Sequence, residues 1–251
     1  LPRKVSARSN PKSSTGRVDL FVQLVTDGSS KYDRVNGSNL YLEVVSSSFP
    51  VLVRPGLALN QVRFYEGEGC ISDNEIKRLH KSSALVRDQN GKPLSLESLI
   101  LDEGLYLRVD LDFDIVGYST VTNPISPLDL SKVKGNKKED FWKEIKRPSD
   151  KRLIMNKDDF YLLSTKEQLV IPHGYCAEVV AFEVDTGELR THYAGFIDPG
   201  FTGNLTLEAR ARDAPHELLD GKRITRIVFH KLKEKADKAY GTGIKSNYKG
   251  Q

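Results

Sequence analysis

The chain of 251 residues carries 38 lysines and arginines against 34 acids, a mild net charge of +4 that is mixed along its length. That balance gives no ground for a nucleic-acid binder held by bulk electrostatics, and the length suits two modest domains with cores of their own. Cys70 and Cys176 lie far apart without CxxC spacing, which argues against a disulfide framework or a cysteine-rich zinc site and fits a reducing cytoplasm. No apolar run nears the roughly 18 to 20 residues needed to cross a bilayer and no leader-like segment opens the chain, so a soluble cytoplasmic protein is expected.

The chain starts at Leu1 and its single methionine is Met155, so an upstream segment is expected to have been lost. The first notable stretch is NPKSSTGR, residues 10 to 17, where Lys12, Ser13, Ser14 and Arg17 crowd around Gly16 beside an apolar strand. Hydroxyls, amides freed at a glycine and two cations form a cradle for phosphate oxygens; a solvated turn has the same composition. Alternation in Leu40 to Val45, a glycine turn at RPG and renewed alternation in Leu59 to Phe64 predict strand, turn, strand. Ser72 or Asp73 caps a predicted helix through Glu75 to His80. GLYLRVDLDFDIVGY (104 to 118) and FYLLSTKEQLVIPHGY (160 to 175) contain strand-like runs. NKKEDFWKEIK (136 to 146) predicts a second helix and HKLKEKADKAY (230 to 240) a third, stopped by Gly241. The last stretch, YGTGIKSNYKGQ (240 to 251), places Tyr240, Lys245, Tyr248, Lys249 and Gln251 on a glycine-rich segment. It either closes over a ligand or stays a polar tail.

An internal repeat organises these elements. A shift of 165 residues lays Asp33 on Asp198, Leu40 on Leu205, Glu43 on Glu208, Gly56 on Gly221 and Phe64 on Phe229 without a gap. Allowing a short indel, LPRKVSA at the start lies over IPHGYCA, so Ala7 matches Ala177. Short strands with Gly and Pro turns predict a mainly all-β barrel or sandwich with a few short helices. The expected division is a first unit at 1–76, a helical or loop connection at 77–100, and a second unit with the C-terminal tail at 101–251. The first unit lacks counterparts of the strands before residue 172 and is expected to be N-terminally incomplete.

The repeated acids are candidates for chemistry. Glu43 and Glu208 differ in parity from the apolar residues beside them; either alone would suit a solvent-facing strand, but recurrence in both copies suggests a role. Asp33 and Asp198 precede turns, where Asp binds a hydroxyl or stabilises the turn itself. His80, His173, His192, His216 and His230 form no HxxxH pattern, and no H-x-E with PCxxC, G-x-S-x-G or GxxxxGK[ST] motif occurs.

Together these clusters resemble the trimeric dUTPase superfamily and, within it, the dCTP deaminases in their long, two-domain form. The family's basic-Ser-Ser-x-x-Arg pattern is met by Lys12, Ser13, Ser14, Thr15, Gly16 and Arg17, with lysine where arginine is usual. Its A-x-x-I-D-P-G-W-x-G-x-x-x-L-E stretch is met by AGFIDPGFTGNLTLE (194 to 208), with Phe201 for the tryptophan. The resemblance implies two tandem dUTPase-like β-barrel units and zinc-independent deamination of dCTP to dUTP, with Mg2+ carried by the triphosphate. It implies that Glu208, or its rival Glu43, activates water held by Ser13 and Arg17. Lys12, Ser14, Ala194, Asp198, Asp33, Phe201, Tyr240, Tyr248 and Gln251 then surround the nucleotide.

Neither copy is complete. KYDRVNGSN (31 to 39) lacks the family's D-P-G turn, and EVVAFEVDTGELR (178 to 190) stands where the second copy needs its serines. A composite site is therefore expected, with Lys12, Ser13, Ser14 and Arg17 from the first unit and Ala194, Asp198 and Glu208 from the second, in a homo-oligomer that uses no membrane or nucleic-acid partner. A dUMP-forming bifunctional enzyme, or a non-catalytic nucleotide- or nucleic-acid-binding protein using the basic stretch from Lys231 to Lys249, are the other readings.

Overall fold

The computed structural model describes residues 1–28, 31–35, 39–132, 134–180, 189–191, 194–211, 214–238 and 240–241. The first repeat runs through β1 (Val5–Pro11), the one-turn helix α1 (Ser13–Gly16), β2 (Leu20–Thr26), β3 (Leu40–Ser46), β4 (Val51–Leu52) and β5 (Asn60–Glu66). After it come α2 (Asp73–Ser83), β6 (Val86–Arg87), β7 (Ile100–Leu101), β8 (Leu105–Arg108), β9 (Ile115–Thr120) and β10 (Leu128–Asp129). The rest comprises β11 (Trp142–Lys146), β12 (Arg152–Met155), β13 (Phe160–Val170), β14 (Tyr175–Val180), β15 (Leu189–Thr191), β16 (Phe196–Ile197), β17 (Thr202–Ala211), β18 (His216–Leu219) and β19 (Arg223–Lys231). The mainly-β expectation holds, with two α-helices among the described residues.

The repeat in sequence is a repeat in register. Ala7 faces Phe64 across the β1·β5 ladder, and Ala177 faces Phe229 across β14·β19. Leu20 faces Ser46 across β2·β3, and Leu189 faces Ala211 across β15·β17. Gly56 and Gly221 hold the same turn, at φ of 87° and 73°, a left-handed conformation that glycine adopts without steric cost.

Beyond that correspondence the halves diverge. In the second, a sheet ordered β11-β9-β13-β17-β15 and another ordered β16-β14-β19-β8-β7 share one core, to which Leu105, Leu107, Leu163, Leu169, Leu207, Ile227 and Phe229 contribute. In the first, a small cluster of Leu20, Val22 and Leu59 fills the space under β2. α2 begins as the sequence predicts: Ser72 Oγ accepts from the Glu75 amide, and Glu75 Oε2 accepts from the Ser72 amide at 2.9 Å. His80 on its buried face accepts from the Val86 amide and bonds the Leu94 carbonyl, an ordinary packed histidine.

Among the described residues, two predicted helices do not form. Within 136–146 the chain forms a short 3-10 turn at Lys138–Asp140 and then β11, antiparallel to β9. Trp142 decides this, because its ring lies edge-on to Phe49 and close to Phe160, contacts a strand supplies. Over 230–240, His230 and Lys231 finish β19. Beyond them the described residues 232–238 and 240 take no helix. The 104–118 stretch forms two strands, β8 and β9, with a break between them.

Candidate active site

β1 ends at Pro11, and an extended Lys12 (ψ 151°) leads into the single turn of α1. The turn is tied down on the side of β5: the Lys12 amide and the Thr15 hydroxyl both donate to the Leu59 carbonyl, at 3.1 and 2.9 Å. Ser13, Ser14 and Arg17 are half-buried.

Gly16 closes the turn directly against β17. A Cβ at this position would lie 2.5 Å from both carboxylate oxygens of Glu208, so only glycine lets the two segments approach this closely. Glu208 is 4 % exposed, and the Ala194 amide donates to its Oε2 at 3.0 Å. The turn of one repeat and the glutamate of the other therefore meet within a single chain.

Three residues on, the same segments meet again. Asp19 forms a buried ion pair with Arg210 and accepts from Ser48 Oγ at 2.6 Å. Arg210 also donates to the Asp158 carbonyl. On the opposite side of the repeat junction, Arg63 pairs with Glu178 at 2.8 Å and stacks 4.2 Å from the centre of the Phe196 ring. Arg63, Tyr65, Cys176, Phe196 and His230 line a cleft there, and burial raises the Cys176 thiol to about 11.

Asp198 sits in the turn after β16, where the Phe201 amide donates to its carbonyl. Burial pushes its carboxyl above the ordinary range, with Arg63 opposing. Phe201 packs against Tyr240, with ring centres 5.4 Å apart, and the Tyr240 amide donates to the Pro199 carbonyl. The start of the C-terminal segment is thereby docked on the IDPG turn. Tyr248 and Gln251 lie outside the described residues, as does most of the second copy's serine-replacing stretch.

The first-repeat acids are placed differently. The Asp33 carboxylate accepts from the Leu24 amide of β2 at 2.9 Å, with Asp33 at φ 58°; burial raises its carboxyl and that hydrogen bond opposes the rise. Glu43 is exposed on β3, opposite Gln23. Sequence reasoning missed Asp19 and Arg210. The available signal was a contrast between copies: Arg210 stands where the first repeat has Val45.

This arrangement can be set beside known proteins. The pattern of the 2'-deoxycytidine 5'-triphosphate deaminase N-terminal domain matches residues 1–68, and that of its C-terminal domain matches residues 72–251. A protein of Methanosphaera stadtmanae named "dCTP deaminase, dUMP-forming" is 32% identical over 187 residues, 72% of this chain and 89% of that protein. One of Halorubrum lacusprofundi named "dCTP deaminase" is 33% identical over 116 residues, 45% of this chain and 57% of that protein. The crystal structure of 2'-deoxycytidine 5'-triphosphate deaminase from Agrobacterium tumefaciens superposes with a TM-score of 0.85 at 33% identity, covering 94% of this chain and 72% of that one. With both domain patterns matched in order and a solved relative following nearly the whole chain, this protein belongs to the dCTP deaminase family.

Proposed function

We propose that this family member hydrolyses dCTP to dUTP and ammonia at a site built from both repeats, with Glu208 as the base. The supporting observation is the seating of α1 on the Glu208 carboxylate. The Ala194 amide donates to Oε2 and holds the carboxylate, which takes a proton from water. The resulting hydroxide bonds to C4 of cytosine as the C4–N3 π electrons move to N3. Glu208 gives that proton to N3, then carries the C4 hydroxyl proton to the exocyclic amine; as C4=O forms, the bond from C4 to the exocyclic nitrogen breaks and ammonia leaves. Ser13 and Arg17 orient the water and the carboxylate, while Lys12 and Ser14 receive phosphate oxygens. Asp198 faces the sugar, and Phe201 with Tyr240 and the segment through Tyr248 and Gln251 covers the nucleotide.

The reading is zinc-independent, with a carboxylate as proton acceptor. Mg2+ fits this donor set as a companion of the substrate. The turn presents hydroxyls and cations suited to phosphate, and among the described residues no three His, Cys, Asp or Glu side chains gather into a cage, so triphosphate oxygens and water would hold the ion. When bound, it neutralises phosphate charge. The reading also takes the two repeats as fused β-barrel units, supported by their shared register, in a homo-oligomer. Among the described residues no helix is long and apolar enough to cross a membrane.

A second reading, direct formation of dUMP, is favoured by the name of the Methanosphaera relative. Incubating the protein with dCTP and Mg2+ and measuring ammonia and nucleotide products decides between them. Ammonia with dUTP supports the proposal, ammonia with dUMP supports the second reading, and no ammonia overturns both.

A further inference from the structure

The mechanism above gives no part to the Arg210–Asp19 pair, yet both ions are withdrawn from water, Asp19 completely. Burying a charge pair seldom stabilises a fold more than apolar side chains of similar volume would, so its presence calls for another reason. One guanidinium here joins three segments. It reaches Asp19 after α1, Ser48 Oγ after β3 at 3.3 Å, and the Asp158 carbonyl just before β13.

Alternate residues of a strand point to one face, with Cα atoms about 7 Å apart. Glu208 and Arg210 thus share the face of β17 that meets residues 16 to 19. Glu208 meets Gly16 and Arg210 meets Asp19, a two-point seating of the KSSTGR turn on the strand that carries the base. The Asp19 amide donates to the Gly16 carbonyl at 2.9 Å, so movement at one point is passed to the other.

We infer that Arg210 is a positioning residue: through Asp19 it fixes the KSSTGR turn in register over Glu208, and the pair cancels its own charge beside the base. This rests on Glu208 being the base. Among the described residues, the charged groups near this part of β17 are Lys12, Arg17 and Asp19 from the turn, Arg210 on the strand itself, and Arg190, which β15 places opposite Arg210 in the ladder. Across the ladder β13 presents Leu162 opposite Glu208, and Asp158 approaches Arg210 through its carbonyl.

The two charges make opposite predictions for the acid limb of the kcat/KM profile for ammonia release. Asp19→Asn leaves a cation two residues from the base, favours its ionised form and moves the limb to lower pH. Arg210→Gln leaves an anion, disfavours a second one nearby and moves the limb to higher pH. The double variant returns the limb to its wild-type position. Each single variant lowers kcat by about 10- to 100-fold while KM changes less than about threefold, the signature of a misplaced reacting group. Arg210→Lys keeps the charge without the forked geometry, so kcat falls and the limb stays. Melting curves identify the variants that fold; should Arg210→Gln fail to fold, Asp19→Asn and Arg210→Lys decide. An unmoved limb in Asp19→Asn, a limb moving the same way in both charge-neutralising variants, or an unchanged kcat in Arg210→Lys overturns the inference. Loss of the functional reading is separate, since it appears as wild-type protein without ammonia release or as full turnover in Glu208→Gln.

Discussion

Leu42 and Leu207 hold the same place in the two repeats, yet Leu207 is 0 % exposed and Leu42 is 41 % exposed. Their strands have similar patterns and each pairs with one equivalent neighbour, β2 for β3 and β15 for β17. β17 has β13 on its other side, whereas among the described strands β3 pairs with β2 alone. Burial is therefore set by the neighbours a strand acquires and not by its own alternation. The acids that follow these leucines inherit the difference. Glu208 is enclosed by Gly16 and the Ala194 amide, where fixed dipoles act on it with little competition from solvent, whereas Glu43 stands in water.

The strongest way to break this comparison is to remove each acid in turn. Glu208→Gln is expected to lower ammonia release from dCTP about a thousandfold, and Glu43→Gln to change it less than about twofold, as measured at saturating substrate. Loss of turnover in Glu43→Gln instead would transfer the chemistry to the first repeat. The paired leucines test burial without touching the site. Leu207→Ala is expected to cost about 3 kcal/mol in urea unfolding, from lost transfer energy and the cavity left behind, and Leu42→Ala less than about 0.5 kcal/mol. Equal costs would mean that β3 is covered in solution.

Gly16→Ala then asks whether close approach matters. A Cβ placed 2.5 Å from the Glu208 oxygens must displace the carboxylate or the turn; a shift of about 1 Å at a reacting group is expected to lower kcat by about 100-fold with a smaller change in melting temperature. Unchanged kcat would show that the turn yields without moving the base.

These tests also mark what the sequence made legible. The repeat, its ladders and the turn at KSSTGR could be read because each depends on pattern: alternation, glycine turns, and like residues recurring at a fixed shift. The meeting of Gly16 with Glu208 is a contact across 192 positions of chain; spacing proposed it only through the incompleteness of each copy. The Asp19–Arg210 pair carries no local signal, since an Arg on an alternating strand ordinarily reads as solvent-facing. The helix expected over 136–146 fails for the same reason: its charged residues favour a helix locally, while the long-range contacts of Trp142 and the β11·β9 ladder claim that stretch.

The smallest effect separates the repeats at one more matched pair, Tyr65 and His230, whose rings pack at 6.3 Å across the junction. Burial holds the His230 imidazole below its ordinary range; Arg63 and Arg8 add to this and Glu178, 3.8 Å from Nε2, opposes it. Burial pushes the Tyr65 hydroxyl up, so it does not titrate near neutrality. Between the folded value of His230 and the unfolded value of 6.5 the unfolded chain binds more protons, so the second repeat's contribution is complete above 6.5 and is lost as pH falls through the folded value. With the ring half-buried, the difference in melting temperature between neutral and mildly acid buffer is expected to be about 2 °C larger in wild type than in His230→Gln. Identical pH dependence in both proteins would mean that His230 is as well solvated when folded as when unfolded, and that the junction is open to water on that side.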